Sequence, residues 1–241
     1  MNELDRQLDE IADDEQQLKL TSIAQHIQIR ASELAAEHRT FTDSFDRLLN
    51  TYDATEAQLE QLIEAYKRQR TLLRNELLHL QDELHAAMTL DQWAEVVRVL
   101  NRAGTSIAGY TLSEGSDMPV LSTIATVNAL FHRGSDEVSF LDPDALRARC
   151  NDVLEDTETR ARAVMLTEQL QQLARQYDNA VAASVESYIS KSAKWNSSAN
   201  DLIELLHPWD NVRLQTVQGI IRVRQSMREL LTTEQWERVF G

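Results

Sequence analysis

The chain has 241 residues and a formal net charge of −15, with 26% charged and 42% hydrophobic residues. That length suits one large or two small domains with a real core. The acid excess, without any Lys/Arg block, argues against nucleic-acid binding and against docking on an anionic membrane surface. The single Cys150 excludes an internal disulfide and a Cys-rich zinc site, and no run of about 18 apolar residues is present to form an integral membrane segment.

Only six Gly and three Pro occur, and Gly104, Gly109, Gly115 and Gly134 share one central window. Elsewhere Leu, Ala, Gln, Glu and Arg dominate, residues that lose little on entering a helix. The expected fold class is all-α. From Leu4 to Tyr52 the apolar residues Leu4, Leu8, Ile11, Leu18, Ile23, Ile27, Leu34, Phe41, Phe45, Leu48 and Tyr52 form one stripe. Spacings of three, four and seven mark a long helix or two nearly collinear ones, with a slip of phase near 18–23.

Asp53-Ala54-Thr55 reads as a turn with capping residues. A second helix follows to about Ala87, with its seam at Leu59, Leu62, Ile63, Tyr66, Leu73, Leu77, Leu80 and Leu84. So short a connection makes the two helices an antiparallel hairpin. The expected register sets Tyr52 near Leu59, Phe45 near Tyr66 and Leu34 near Leu77, leaving residues before about Ile23 to overhang.

Met88-Thr89-Leu90-Asp91-Gln92-Trp93 then starts a short helix. Thr89 and Gln92 stand at the spacing of a capping box. Trp93, Val96, Val97 and Leu100 give this helix an apolar face that can fold over the hairpin's open end. Residues 103–141 break the helical pattern and read as a linker, in which Pro119 is able to start a short helix through Val120, Ile124, Val127 and Phe131. Asp142-Pro143-Asp144 begins a new helix, with Asp as cap and Pro at the first position.

The six-residue phrase returns as Leu231-Thr232-Thr233-Glu234-Gln235-Trp236, 143 positions later. The same offset places Ile27 on Leu170, Phe45 on Tyr188, Tyr52 on Trp195, Thr55 on Ser198, Leu59 on Leu202 and Tyr66 on Trp209. Residues 1–102 and 142–241 are therefore read as an internal duplication, two antiparallel helical hairpins each with a short capping helix. The expected whole is an elongated bundle, since the apolar stripes at 4–22 and 147–166 each require a partner.

Four residues in two E-x-x-H units are the metal candidates, Glu76 with His79 and Glu204 with His207. Carboxylate-bridged di-metal bundles use such units on two helices. Here the 143 offset places the two units at different heights, and Leu77 and Leu205 hold the seam, so an ordinary Glu–His pair is the favoured meaning. Asp82, Glu83 and His85 form a further polar cluster, and His38 lies on the stripe between Leu34 and Phe41. Arg70 and Arg213 coincide under the offset at seam positions where Leu is expected, and a desolvated Arg requires a partner. A structural ion pair is the first expectation for both, with partner binding as the alternative. No nucleophile–base arrangement or Gly-rich phosphate loop is visible, so neither catalytic residues nor a cofactor are expected.

The Leu/Met-Thr-x-x-Gln phrase, carried by Met88, Thr89 and Gln92 and again by Leu231, Thr232 and Gln235, resembles the repeated signature of the Spy/CpxP-type periplasmic proteins. That resemblance implies helical hairpins with chaperone-like client binding in the bacterial envelope. The acidic Met1-Asn2-Glu3-Leu4-Asp5 does not read as a signal peptide, so the compartment is periplasmic if an export signal has been removed and cytoplasmic otherwise. The expected function is a non-enzymatic helical interaction protein, whether scaffold, adaptor or chaperone-like module, with a protein partner or a homo-oligomer. A metal-binding carboxylate/histidine bundle is the alternative. Trp93, Trp236, Thr89, Thr232, Gln92, Gln235, Arg70 and Arg213 are the residues expected to hold structure or interactions.

Overall fold

A computed structural model describes residues 14–94, 97 and 142–241. The expectations for Leu4, Leu8, Ile11, Val96, Leu100 and the 103–141 linker lie outside these residues. The described chain is all-α: α1 (Asp14–Asn50), α2 (Glu56–Ala87), a short helical segment at 90–94, α3 (Pro143–Val153), α4 (Thr157–Ser192), α5 (Ala199–Leu230) and α6 (Thr233–Phe240).

Local chemistry explains each boundary. Helix α1 stops at Asn50, where the Thr51 hydroxyl donates back to the Arg47 carbonyl at 2.7 Å. The Thr51 and Ala54 amides close the turn on the Arg47 and Thr51 carbonyls. Thr55 and Gln58 then form a capping box for α2, the Thr55 amide donating to the Gln58 Oε1 at 2.8 Å and the Gln58 amide to the Thr55 hydroxyl at 3.3 Å. Ser198 and Asp201 do the same for α5, at 2.9 and 3.2 Å. Asp142 accepts from the Asp144 and Ala145 amides ahead of Pro143. Asp156 accepts from the Thr159 amide at 2.7 Å, so a break at Leu154–Asp156 separates α3 from α4.

Two sequence expectations need correction. Leu18 is 73% exposed whereas Leu20 is buried, so Leu18 does not belong to the buried stripe, and the change falls within the 18–23 window where the spacing slips. The hairpin register is also displaced, by one to two helical turns. Tyr66 stacks on Phe41 at 4.1 Å between centroids and its hydroxyl meets His38 Nδ1 at 3.1 Å, while Arg30 reaches Glu76. The pairings of Tyr52 with Leu59, Phe45 with Tyr66 and Leu34 with Leu77 assumed that the helix ran on to Tyr52. Because the helix stops at Asn50, Tyr52 belongs to the turn. The corrected register brings Gln16 level with the end of α2, where its amide donates to the Ala87 carbonyl at 2.7 Å.

The chain divides into two compact units, and both draw on all four long helices. Unit 1 takes the described residues from 14–36, 69–97 and 185–206, and unit 2 takes 37–68, 142–184 and 207–241. Their boundaries do not follow the two sequence repeats. Each unit instead contains the turn of one hairpin and the open end of the other.

Within unit 2, α3 packs against α6, burying Leu146 and Cys150 on one side and Val239 and Phe240 on the other. The 147–166 stripe thus has part of its partner in the C-terminal helix. Helix α5 continues through Pro208, although proline removes one helical hydrogen bond and crowds the preceding turn.

Candidate functional site

Each unit contains an aromatic clasp built on one copy of the repeated phrase. In unit 1, Thr89 and Gln92 exchange capping hydrogen bonds at 2.7 and 3.3 Å. Gln92 also pairs amide to amide with Gln16, at 3.2 and 3.4 Å. Capping fixes the start of the 90–94 segment and delivers Trp93 to a buried position. Its indole N–H donates to the Ala193 carbonyl at 3.2 Å, in the turn of the second hairpin. His85 lies against the Trp93 ring at 3.7 Å between centroids and stacks on Trp195 at 6.0 Å. Asp82 adds a charge-assisted tie by accepting the Ala199 amide at 2.8 Å, at the start of α5.

Unit 2 repeats this construction with other side chains. Thr232 and Gln235 form the box, at 2.9 and 3.3 Å. The Trp236 indole donates to the Asn50 carbonyl at 2.6 Å, in the turn of the first hairpin. Asn50 and Ala193 are themselves 143 positions apart, as are Trp93 and Trp236. The sequence placed each short helix over the open end of its own hairpin. That contact is made, and the indole reaches further, to the turn of the other hairpin.

Tyr52 meets Trp236 edge-on at 5.8 Å and donates to the Leu231 carbonyl, while Phe240 stacks on the indole at 3.9 Å. Arg228 lies over Tyr52 at 5.4 Å, and Arg224 lies over Trp236 at 5.3 Å. Arg224 also donates to the Leu49 and Thr51 carbonyls, at 3.0 and 2.5 Å. These are the last carbonyls of α1 and its turn, where a cation is favoured. Burial, and then the charge of Arg228, lowers the Arg224 pKa. Sequence reading missed Arg224, because a basic residue within an apolar pattern suggests a surface position. Arg74 was missed for the same reason and is 1% exposed.

The two seam arginines named from sequence, Arg70 and Arg213, are both buried. Arg213 packs its guanidinium over Tyr66 at 4.7 Å and Phe41 at 6.0 Å, so aromatic faces contribute to its stabilisation. The E-x-x-H residues do not converge. Glu76 forms an ion pair with Arg30 at 3.1 Å, without hydrogen-bond alignment. His79, Glu204 and His207 are exposed, and Glu204 and His207 belong to different units. Among the described residues no group of three or more His, Cys, Asp or Glu side chains is arranged to hold a metal ion.

The second candidate feature is a trough along α4 and α5 in unit 2. It consists of two adjoining cavities of about 510 and 410 Å³ that share Gln169 and Ser226. Leu166 and Leu173 on α4, and Val223 and Leu230 on α5, supply its apolar lining, seven residues apart on each helix. Gly219 lets Leu173 lie directly on α5, since a Cβ there would stand 2.8 Å from both Leu173 methyls. The sides carry Gln169, Gln172 and Gln176, and Met165 stands at the rim, 60% exposed.

The fold and these features define an all-α helical bundle in which no helix of the described residues is long and apolar enough to cross a membrane. No protein-family model, no curated protein and no solved structure matches the chain.

Proposed function

We propose that this chain is a non-enzymatic helical interaction module whose α4/α5 trough takes one amphipathic helix of a partner protein. The seven-residue spacing of Leu166 with Leu173, and of Val223 with Leu230, is the observation that carries this reading. Apolar positions at that period receive knobs from a helix with the same repeat. Three glutamines line the sides, and the charged lining residues Arg162, Arg222 and Glu229 are of mixed sign. The partner helix is therefore one whose apolar stripe is edged by hydrogen-bonding groups rather than by a strong charge. A cavity for a small molecule would be more enclosed and more apolar.

The chaperone-like form of this function, implied by the Spy/CpxP-type resemblance, draws no support from the repeated phrase itself, because capping accounts for its Thr and Gln residues. Suppression of a client's aggregation would favour that form, and one stoichiometric partner would favour an adaptor.

A dansyl-labelled heptad peptide with Leu at the seam and Gln elsewhere is a suitable probe. It is expected to bind the wild-type chain, and Met165→Asp or Ser226→Arg should weaken binding at least ten-fold, or about 1.4 kcal/mol. Both positions are exposed, so folding is retained. Equal affinity in the variants would refute the trough as the docking site. A concentration-dependent dimer abolished by Met165→Asp would replace the partner helix with a second copy of the chain.

A further inference from the structure

The two clasps share one plan, and of the positions at which they differ, one decides how each responds to acid. His85 and Arg228 are 143 positions apart. Arg228 is a permanent cation over the Tyr52 ring. His85 is 7% exposed, wedged between Trp93 and the stacked Trp195, and its Nε2 is buried without a hydrogen-bond partner among the described residues. A buried imidazole can leave one nitrogen unpaired as a neutral acceptor at modest cost. Protonation would place an N–H and a full charge at that same point.

We propose that His85 is an acid-sensitive switch on the unit 1 clasp: neutral imidazole holds Trp93 in place, and protonation releases it, while the unit 2 clasp has no such response.

Asp82, one turn earlier on α2, is the charged group acting on His85, and it favours the imidazolium. Its Oδ2 is already committed to the Ala199 amide. From the end of α4 and the start of α5 come Lys191 and Asp201, which pair with each other at 3.2 Å. The 90–94 segment and α1 contribute the neutral Trp93, Gln92 and Gln16. Burial outweighs Asp82 and holds the His85 pKa below its ordinary value of 6.5. Trp93 and Trp195 offer ring faces to a cation, but rings alone supply no acceptor for a buried N–H. Protonation is therefore accompanied by movement that brings water to Nε2. The element that can move is the short 90–94 segment, held among the described residues by the indole bond to Ala193 and the amide pair between Gln92 and Gln16.

The test is side-chain NMR of the intact chain between pH 7.5 and 5. Hydrogen exchange of the Trp93 indole N–H is measured against that of Trp236 in the same sample, so that intrinsic pH effects cancel. The ratio should rise at least ten-fold on acidification in the wild type and stay constant in His85→Phe, which keeps a ring between the two indoles and cannot titrate. A constant ratio in the wild type would overturn the proposal, as would an equal rise in His85→Phe. Should His85→Phe not fold, titration of the His85 ring carbons decides. A midpoint below 6.5 that coincides with the rise in Trp93 exchange supports the switch, and a midpoint at or above 6.5 overturns it.

Discussion

At the scale of single residues, the clasp tryptophans are the side chains on which most depends. Trp93 and Trp236 are 3% and 1% exposed, and each joins a large apolar surface to one directional hydrogen bond. Truncating either to Ala should cost about 3 kcal/mol or more in denaturant unfolding. A neutral result at either position would mean that the indole is not a structural lock. Cys150 gives a chemical check on the α3–α6 contact. Burial raises its thiol pKa to about 11, so the reactive thiolate is scarce at pH 8. Iodoacetamide should label the native protein far more slowly than the unfolded chain, and equal rates would contradict the burial of that contact.

Asp201 carries a pH dependence of the same sign as that of His85, in a lower window. The Ser198 amide, then the Ser198 hydroxyl and Lys191, hold its carboxyl down at about 2, below the ordinary 3.8. The folded value lies below the unfolded one, so its stabilisation is present above about pH 3.8 and is lost as pH falls towards 2. Thermal melts across that window should be less pH-sensitive in Asp201→Asn than in the wild type. His85 acts higher on the scale. Its folded pKa is depressed below 6.5, so stability falls as pH drops from 6.5 through the folded value.

At the scale of elements, capping residues were the most legible feature. Thr55 with Gln58, Thr89 with Gln92, Asp142 with Pro143, and Thr232 with Gln235 act through side chains one turn or less away, so local spacing determines them. Register was less legible. It depends on where α1 ends, and α1 stops at Asn50 ahead of the turn closed by the Ala54 amide on the Thr51 carbonyl, which apolar periodicity does not register. The trough was not visible in sequence, because Gly219 matters only through what lies opposite it. Gly219→Ala gains about 1 kcal/mol of helix propensity but displaces Leu173, whose half-buried methyls can turn into the trough. The two effects offset, and calorimetry should show a change within about 1 kcal/mol. A loss of several kcal/mol would show that Leu173 is fixed in place.

At the scale of the whole molecule, the all-α class followed from composition and periodicity, whereas the pairing of long-range partners did not. Offset alignment identified Trp93 with Trp236 and Tyr52 with Trp195 as equivalent positions. It carried no information on which hairpin each tryptophan would reach. Only the fold joins Trp93 to Ala193 and Trp236 to Asn50. That reciprocity supports reading the chain as a duplicated hairpin in which each copy closes the other's turn. Seam arginines show the same limit: Arg70 and Arg213 stood out as anomalies, but the aromatic faces that receive Arg213 come from the other hairpin.

The reciprocal closure of turns is tested most directly by backbone hydrogen exchange, followed by mass spectrometry under native conditions, in Trp93→Ala and Trp236→Ala. Trp93→Ala should lose protection at residues 191–199, the turn of the second hairpin, and keep it at 50–56. Trp236→Ala should show the converse, with exchange rising at 50–56 and unchanged at 191–199. Loss of protection confined to the mutated copy's own turn, or equal loss at both turns in both variants, would contradict the exchanged arrangement.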